Sequence, residues 1–131
     1  MTLTRLLFEP TLTRSPLRII RWWESRRLTY NAVVGATGVA TLLYVNALEL
    51  ILDQGVLPVP WYAVAAYALA ANVCYTLGPA VEIVLERWLK RPLYGVGPAL
   101  FRHGLVFSVG LTMLPAGLIT LVNVLGRIFA P

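Results

Sequence analysis

Glu82 is the ionisable side chain of this sequence that is best placed to do chemistry. It is the one charged residue in the 25-residue run 61–85. A charge in such a run is costly to place in hydrocarbon, so it is a functional candidate by default. The functional interpretation makes Glu82 a proton or cation site. The structural interpretation, which we favour, is an ion pair or hydrogen bond with Arg26, Arg27 or Asn31.

A belt of polar side chains crosses the middle of the same run, and it consists of Asn72, Cys74, Tyr75 and Thr76. These side chains could line a pathway, or they could form hydrogen bonds between helices and fix their packing. We favour packing, because the other apolar runs offer no carboxylate or lysine at the same depth.

Other catalytic and cofactor chemistry has few residues to use. His103 is the single histidine and Cys74 the single cysteine, so a bis-His haem or a cysteine-pair metal site within the chain is excluded. His103 could ligate one haem or pigment, but its place beside Arg102 favours a solvated or hydrogen-bonded residue. Nucleotide-binding and nucleophile-elbow motifs are absent from the sequence. We therefore expect a non-enzymatic protein without a cofactor or metal.

The composition indicates where the protein lies. Hydrophobic residues make up 58% of the chain and charged residues 13%, whereas soluble domains carry about 45–50% and about 25%. Such a chain cannot hide its apolar surface as a small soluble globule, and it is too hydrophobic to be disordered. The net charge of +5 then fits a membrane protein with basic flanks rather than a nucleic-acid-binding protein.

Three apolar runs are each long enough to cross a bilayer, since about 20 residues suffice. We predict an all-α integral membrane protein with a transmembrane domain over residues 28–125 and spans at 28–51, 61–85 and 99–125. Residues 1–27 form a cytoplasmic or interfacial segment, and residues 126–131 a short outer tail. Ten basic residues flank one side of the spans and Arg127 alone the other, which predicts a cytoplasmic N-terminus and an outer C-terminus.

Residues 17–28 alternate arginines with large apolar side chains. This pattern predicts a separate amphipathic helix in the headgroup layer, started by Ser15 and Pro16. Its expected contacts with anionic lipid come from Trp22, Trp23, Arg18 and Arg21. Within the spans, small residues recur every four positions, for example at Gly104, Ser108, Thr112 and Ala116, which allows helices to approach closely.

Two segments carry a family resemblance. The first is Trp22-Trp23-Glu24-Ser25-Arg26-Arg27 followed by Tyr30-Asn31, and the second is Ala71-Asn72-Val73-Cys74-Tyr75-Thr76-Leu77-Gly78 with Glu82. Together they resemble paired motifs of small uncharacterised bacterial membrane proteins. The resemblance covers the first two spans, and it implies a bacterial inner-membrane setting without implying a function.

The sequence favours a small accessory or scaffold subunit of a larger membrane complex. Three spans with few polar residues cannot readily enclose a pathway alone, and their small-residue faces suit contacts with other membrane subunits or with further copies of the chain. The alternative is a homo-oligomeric transporter or channel that uses Glu82, Asn72 and Tyr75.

Overall fold

The described part of the chain is entirely helical apart from its connections. A computed structural model describes residues 3–10, 15–52, 55 and 58–129. They form α1 (Leu3–Phe8), α2 (Pro16–Ile51), α3 (Trp61–Leu89) and α4 (Val96–Phe129), with no strand among the described residues. The last three helices are long and apolar enough to cross a membrane. The predicted all-α class with three long apolar helices is thus confirmed.

The start of the first long helix differs from the prediction. Residues 17–28 are not a separate helix, because α2 runs without interruption from Pro16 to Ile51. The sequence offers no proline between residues 17 and 51 to stop it. One buried stripe also crosses residue 28 at helical spacing, and it consists of Ile19, Trp23, Arg26, Tyr30 and Val34. Because this buried stripe is continuous, the predicted interfacial segment 17–28 and the predicted span 28–51 form a single helix.

All three long helices include their predicted spans and extend beyond them at one or both ends. With 36 residues, α2 is about 54 Å long at 1.5 Å per residue, whereas the hydrocarbon core of a bilayer is about 30 Å thick. Several residues of the predicted segments lie outside the described part of the chain. They are residues 1–2 and 11–14 of the N-terminal segment, 53–54 and 56–57 of the first loop, and 130–131 of the tail.

The three long helices pack in an up-down-up arrangement. α2 contacts both α3 and α4, these two contact each other, and α1 lies against α4, where the Arg102 guanidinium stacks over the Phe8 ring. The start of α2, the end of α3 and the start of α4 consequently share one end of the bundle. We call it the basic end, because it holds Arg18, Arg21, Arg26, Arg27, Arg87, Lys90, Arg91 and Arg102.

The buried residues concentrate near the basic end. The core cluster comprises Ile19, Trp23, Tyr30, Val34, Tyr75 and Phe101. Elsewhere most apolar side chains point away from the bundle. In the most apolar stretch of each long helix, only a small share of the residues is buried: 17% in α2, 17% in α3 and 11% in α4. The fold therefore presents an apolar outer surface, and it positions one compact polar and aromatic core between the helices at one end.

Candidate functional site

The centre of this core is a hydrogen bond between Trp23 and Glu82. The indole Nε1 donates to the carboxylate Oε2 over 2.8 Å, and the exposed fractions of the two residues are 2% and 3%. α2 places the indole and α3 the carboxylate, so the bond joins two helices that are 59 residues apart in sequence. A buried indole N–H needs such an acceptor, because leaving it unpaired costs about 1–3 kcal/mol.

The beginning of α4 closes over the same carboxylate. A Cβ atom placed on Gly97, the second residue of α4, would lie only 2.6 Å from Glu82 Oε2. Glycine thus lets the start of α4 approach the carboxylate closely. The first amides of a helix carry partial positive charge, so the start of α4 complements the carboxylate of Glu82. All three long helices therefore meet at this one group.

Tyr75 supplies a second bond to the same turn of α2. Its hydroxyl donates to the Trp23 carbonyl over 2.6 Å, and its ring meets the Trp23 ring edge to face with centroids 5.5 Å apart. One helical turn further along α3, Gly78 leaves room for the indole, since a Cβ there would overlap the Trp23 ring. Phe101 of α4 completes the group at 6.1 Å from the Trp23 ring.

Three tyrosine hydroxyls dock on a row of hydroxyl residues along α4. Tyr30 meets Ser108 over 2.8 Å, Tyr67 meets Thr112, and Tyr44 meets Thr120 over 2.9 Å. Thr112 and Thr120 each donate their own proton to a carbonyl one turn earlier in α4. A hydroxyl has a single proton, so the tyrosine is the donor in the last two pairs.

A pair of carboxamides joins α2 and α3 on the outside of the bundle. Asn31 Nδ2 donates to Asn72 Oδ1 over 3.2 Å, and Asn72 Nδ2 donates to the Ala68 carbonyl over 3.0 Å. The first residue is exposed and the second half-buried. A carboxamide offers two protons and an acceptor oxygen, so this pair keeps hydrogen-bonding capacity on an apolar surface.

The predicted partners of Glu82 have other bonds. Arg27 pairs with Glu24 over 2.7 Å, and Asn31 bonds to Asn72. Arg26 is buried, donates to the Trp22 carbonyl, and stacks 3.8 Å from the centre of the Trp22 ring. The indole of Trp23, which the sequence interpretation did not consider as a partner, donates a hydrogen bond to Glu82.

The expected lipid contact through Trp23 is wrong, because that ring is buried against α3 and α4. Trp22 is half-buried and donates to the Glu9 carbonyl over 2.9 Å, whereas Arg18 and Arg21 are exposed. The spacing of residues 19, 23, 26, 30 and 34 was the signal that could have revealed the buried face. This buried face was missed because a mixture of arginines and large apolar residues is also typical of an interfacial helix.

The remaining candidates lie apart from the core. Cys74, which belongs to the polar belt for which helix packing was favoured, is exposed. Thr76 and His103 are exposed as well. Thr76 bonds only within its own helix, to the Val73 carbonyl. In the described part of the chain, no three His, Cys, Asp or Glu side chains come close enough to share a metal ion.

These features define an all-helical protein with three helices that could span a membrane and a bonded polar core at its basic end. No protein-family model, curated protein or solved structure matches this chain. Its function must therefore be inferred from its own residues.

Proposed function

We propose that the protein is a small, non-enzymatic accessory or scaffold subunit of a larger membrane protein complex. The proposed setting is the bacterial inner membrane, with the N-terminus in the cytoplasm and anionic lipid around the basic end. The charge asymmetry of the chain supports this orientation, and the two motifs that resemble bacterial membrane proteins support the setting. Three apolar helices support a multi-pass arrangement.

The observation that carries the proposal is the outward Asn31–Asn72 pair. Polar side chains facing lipid are unfavourable, and they commonly mark contacts between membrane helices. A neighbouring subunit that supplies a donor or acceptor here would use the hydrogen-bonding capacity left in the pair. Ala32 and Gly35, on the same stretch of α2, are exposed, and small side chains such as these let a second helix come close.

A groove between α2 and α4 is a second surface that suits a neighbouring helix. It measures about 750 Å³ and is lined by small and apolar side chains that include Ala40, Ala116 and Gly117. The polar core, in contrast, is engaged within the chain: Glu82 accepts from Trp23, and Tyr75 donates to the Trp23 carbonyl. These bonds favour a structural role for the core over the transport pathway that the alternative function needs.

The test is extraction of the tagged chain from its native membranes in mild detergent. We expect a discrete complex in which this chain and a different polypeptide have a fixed stoichiometry. Replacing the pair by Asn31→Ala and Asn72→Ala should release the chain from the complex, with only the small loss of thermal stability that one exposed hydrogen bond between helices accounts for. Asn123→Ala is the matched control, because Asn123 bonds to a carbonyl of its own helix, that of Ile119.

Two results would contradict the proposal. One is a chain that migrates as a single polypeptide under conditions that preserve other complexes of the same membrane. The other is a homo-oligomer that moves ions across liposomes and loses this activity on Glu82→Gln. The second result would support the transporter.

A further inference from the structure

A second polar feature lies outside the core, in a groove between the first turn of α2 and the last turns of α3. Its volume is about 390 Å³. Three cationic side chains line it, those of Arg87, Lys90 and Arg91, and all three residues are exposed. Ile19 and Ile83 form its apolar wall, and they are buried and half-buried respectively.

The local backbone gathers these cations. Helix α3 ends at Leu89, and Lys90 adopts the left-handed conformation that turns the chain back. Glu86 also lines the groove, but one of its carboxylate oxygens accepts a hydrogen bond from the Leu93 amide over 2.9 Å. This carboxylate thus fastens the turn, and the groove keeps a formal charge of +2 from three cations and one anion.

The combination of cations and an apolar wall selects the ligand. Guanidinium and ammonium groups bind phosphate through charge-assisted hydrogen bonds. Isoleucine side chains bind hydrocarbon. Trp88 is 77% exposed next to Arg87, and tryptophans of this kind mark the headgroup level of a membrane. A molecule that offers a phosphate to the cations, an acyl chain to the isoleucines and a net negative charge to the cationic groove is an anionic phospholipid.

We propose that this groove binds one anionic phospholipid, with its phosphate at Arg87, Lys90 and Arg91 and an acyl chain along Ile19 and Ile83. The proposal rests on the membrane placement given above but not on a partner subunit. It assigns a lipid site to the end of α3, apart from the lipid contacts expected of Arg18 and Arg21.

The experiment uses the full chain in a non-ionic detergent, with lipid retention measured by native mass spectrometry and stability by thermal unfolding. The probes are phosphatidylglycerol, phosphatidylcholine and inorganic phosphate at matched concentrations. We expect one phosphatidylglycerol per chain and a higher melting temperature, with neither effect from the other two probes. Arg87→Gln with Arg91→Gln should lower the affinity for phosphatidylglycerol by about tenfold or more, since charge-assisted bonds are lost.

The matched control is Arg21→Gln with Arg127→Gln, which removes the same charge from two other exposed arginines and should leave the bound lipid in place. Lys90→Gln serves as a second, milder variant if the double substitution reduces the yield. Equal losses in both double variants would overturn the site in favour of diffuse attraction. Equal binding of phosphatidylcholine would overturn the selectivity for an anionic headgroup, and equal stabilisation by inorganic phosphate would overturn the lipid as ligand. Failure of these tests would leave the proposed complex untouched, because they are made on the isolated chain.

Discussion

Among single residues, Glu82 has the environment that most restricts replacement. Its carboxylate accepts from the buried indole of Trp23 and lies against the first turn of α4 at Gly97. Both contacts use oxygen atoms, which an amide keeps in part and a methyl group lacks. Side chains and backbone of all three long helices pack around Glu82, so shortening this side chain also leaves a cavity.

We expect Glu82→Ala to lower the melting temperature in detergent, because the indole N–H of Trp23 loses its acceptor at a cost of about 1–3 kcal/mol. Glu82→Gln should lower it less, because its carbonyl oxygen can still accept from Trp23. Glu24→Ala is the control: it removes an exposed carboxylate paired with Arg27, and exposed pairs contribute about 0–1 kcal/mol. Equal losses from Glu82→Ala and Glu24→Ala would show that the buried bond contributes little.

Gly78 gives a prediction about adding a side-chain atom, whereas the substitutions of Glu82 remove atoms. A Cβ at this position would overlap the rigid, buried ring of Trp23, so Gly78→Ala should destabilise the protein by about 1–3 kcal/mol. The control, Gly110→Ala, adds the same methyl group where nothing lies within 4 Å. There the higher helix propensity of alanine should leave the thermal stability unchanged or raise it. A tolerated Gly78→Ala would mean that the indole has room to move.

At the scale of elements, the row of hydroxyls along α4 explains how a helix with mainly apolar surroundings is held in register. Ser108, Thr112 and Thr120 are small enough for α4 to lie close to its neighbours. Each also meets a tyrosine hydroxyl from α2 or α3. Ser108 and Thr112 of the predicted run of small residues are therefore used inside the chain, whereas Gly104 of that run is exposed.

Thr112→Val tests this row, because it keeps the shape of the side chain and removes the acceptor of the Tyr67 hydroxyl. Hydrogen bonds between membrane helices average about 0.6 kcal/mol and reach about 1.7 kcal/mol, and we expect a loss within that range in a denaturation series. Thr37→Val is its control, since Thr37 is bonded only to the Val33 carbonyl of its own helix. If the two variants are equally stable, then the Tyr67 bond does not fix α4.

At the scale of the whole molecule, the chain connections place most of the basic residues at the same end of the bundle. The up-down-up arrangement brings the start of α2, the end of α3 and the start of α4 together, and eight described basic residues gather at that end. Arg127 lies at the other end, near the end of α4. Such asymmetry is what orients a polytopic protein during insertion.

We therefore expect a fluorescent reporter that matures only in the cytoplasm to be dark when fused after Pro131 and bright when fused before Met1. Ten basic residues on one side against one on the other give the physical reason. A reporter active only outside the cytoplasm, fused at the same two positions, should give the reverse pattern. A bright C-terminal fusion together with a silent N-terminal fusion would invert the topology proposed here.

The sequence by itself determined the fold class, because the length of an apolar run and the positions of charges are local quantities that add up along the chain. It located all three long helices. The end of α2 and the start of α3 matched the edges of their predicted spans, since prolines and polar residues mark that connection. It also singled out Glu82, Asn72, Tyr75 and Asn31 as polar side chains in an apolar setting.

The tertiary structure decided which face of each helix is buried. Trp23 suits a headgroup layer as well as a core, since an indole has an apolar body and one polar N–H. Trp23 lies in the core because Glu82 accepts its indole N–H there. Gly78 leaves space for the indole ring, and Gly97 leaves space for the carboxylate. These four residues come from three helices, and no local pattern in the sequence reports contacts between residues so far apart. For the same reason residues 17–28 continue into α2: their buried stripe is defined by the helices that pack against it.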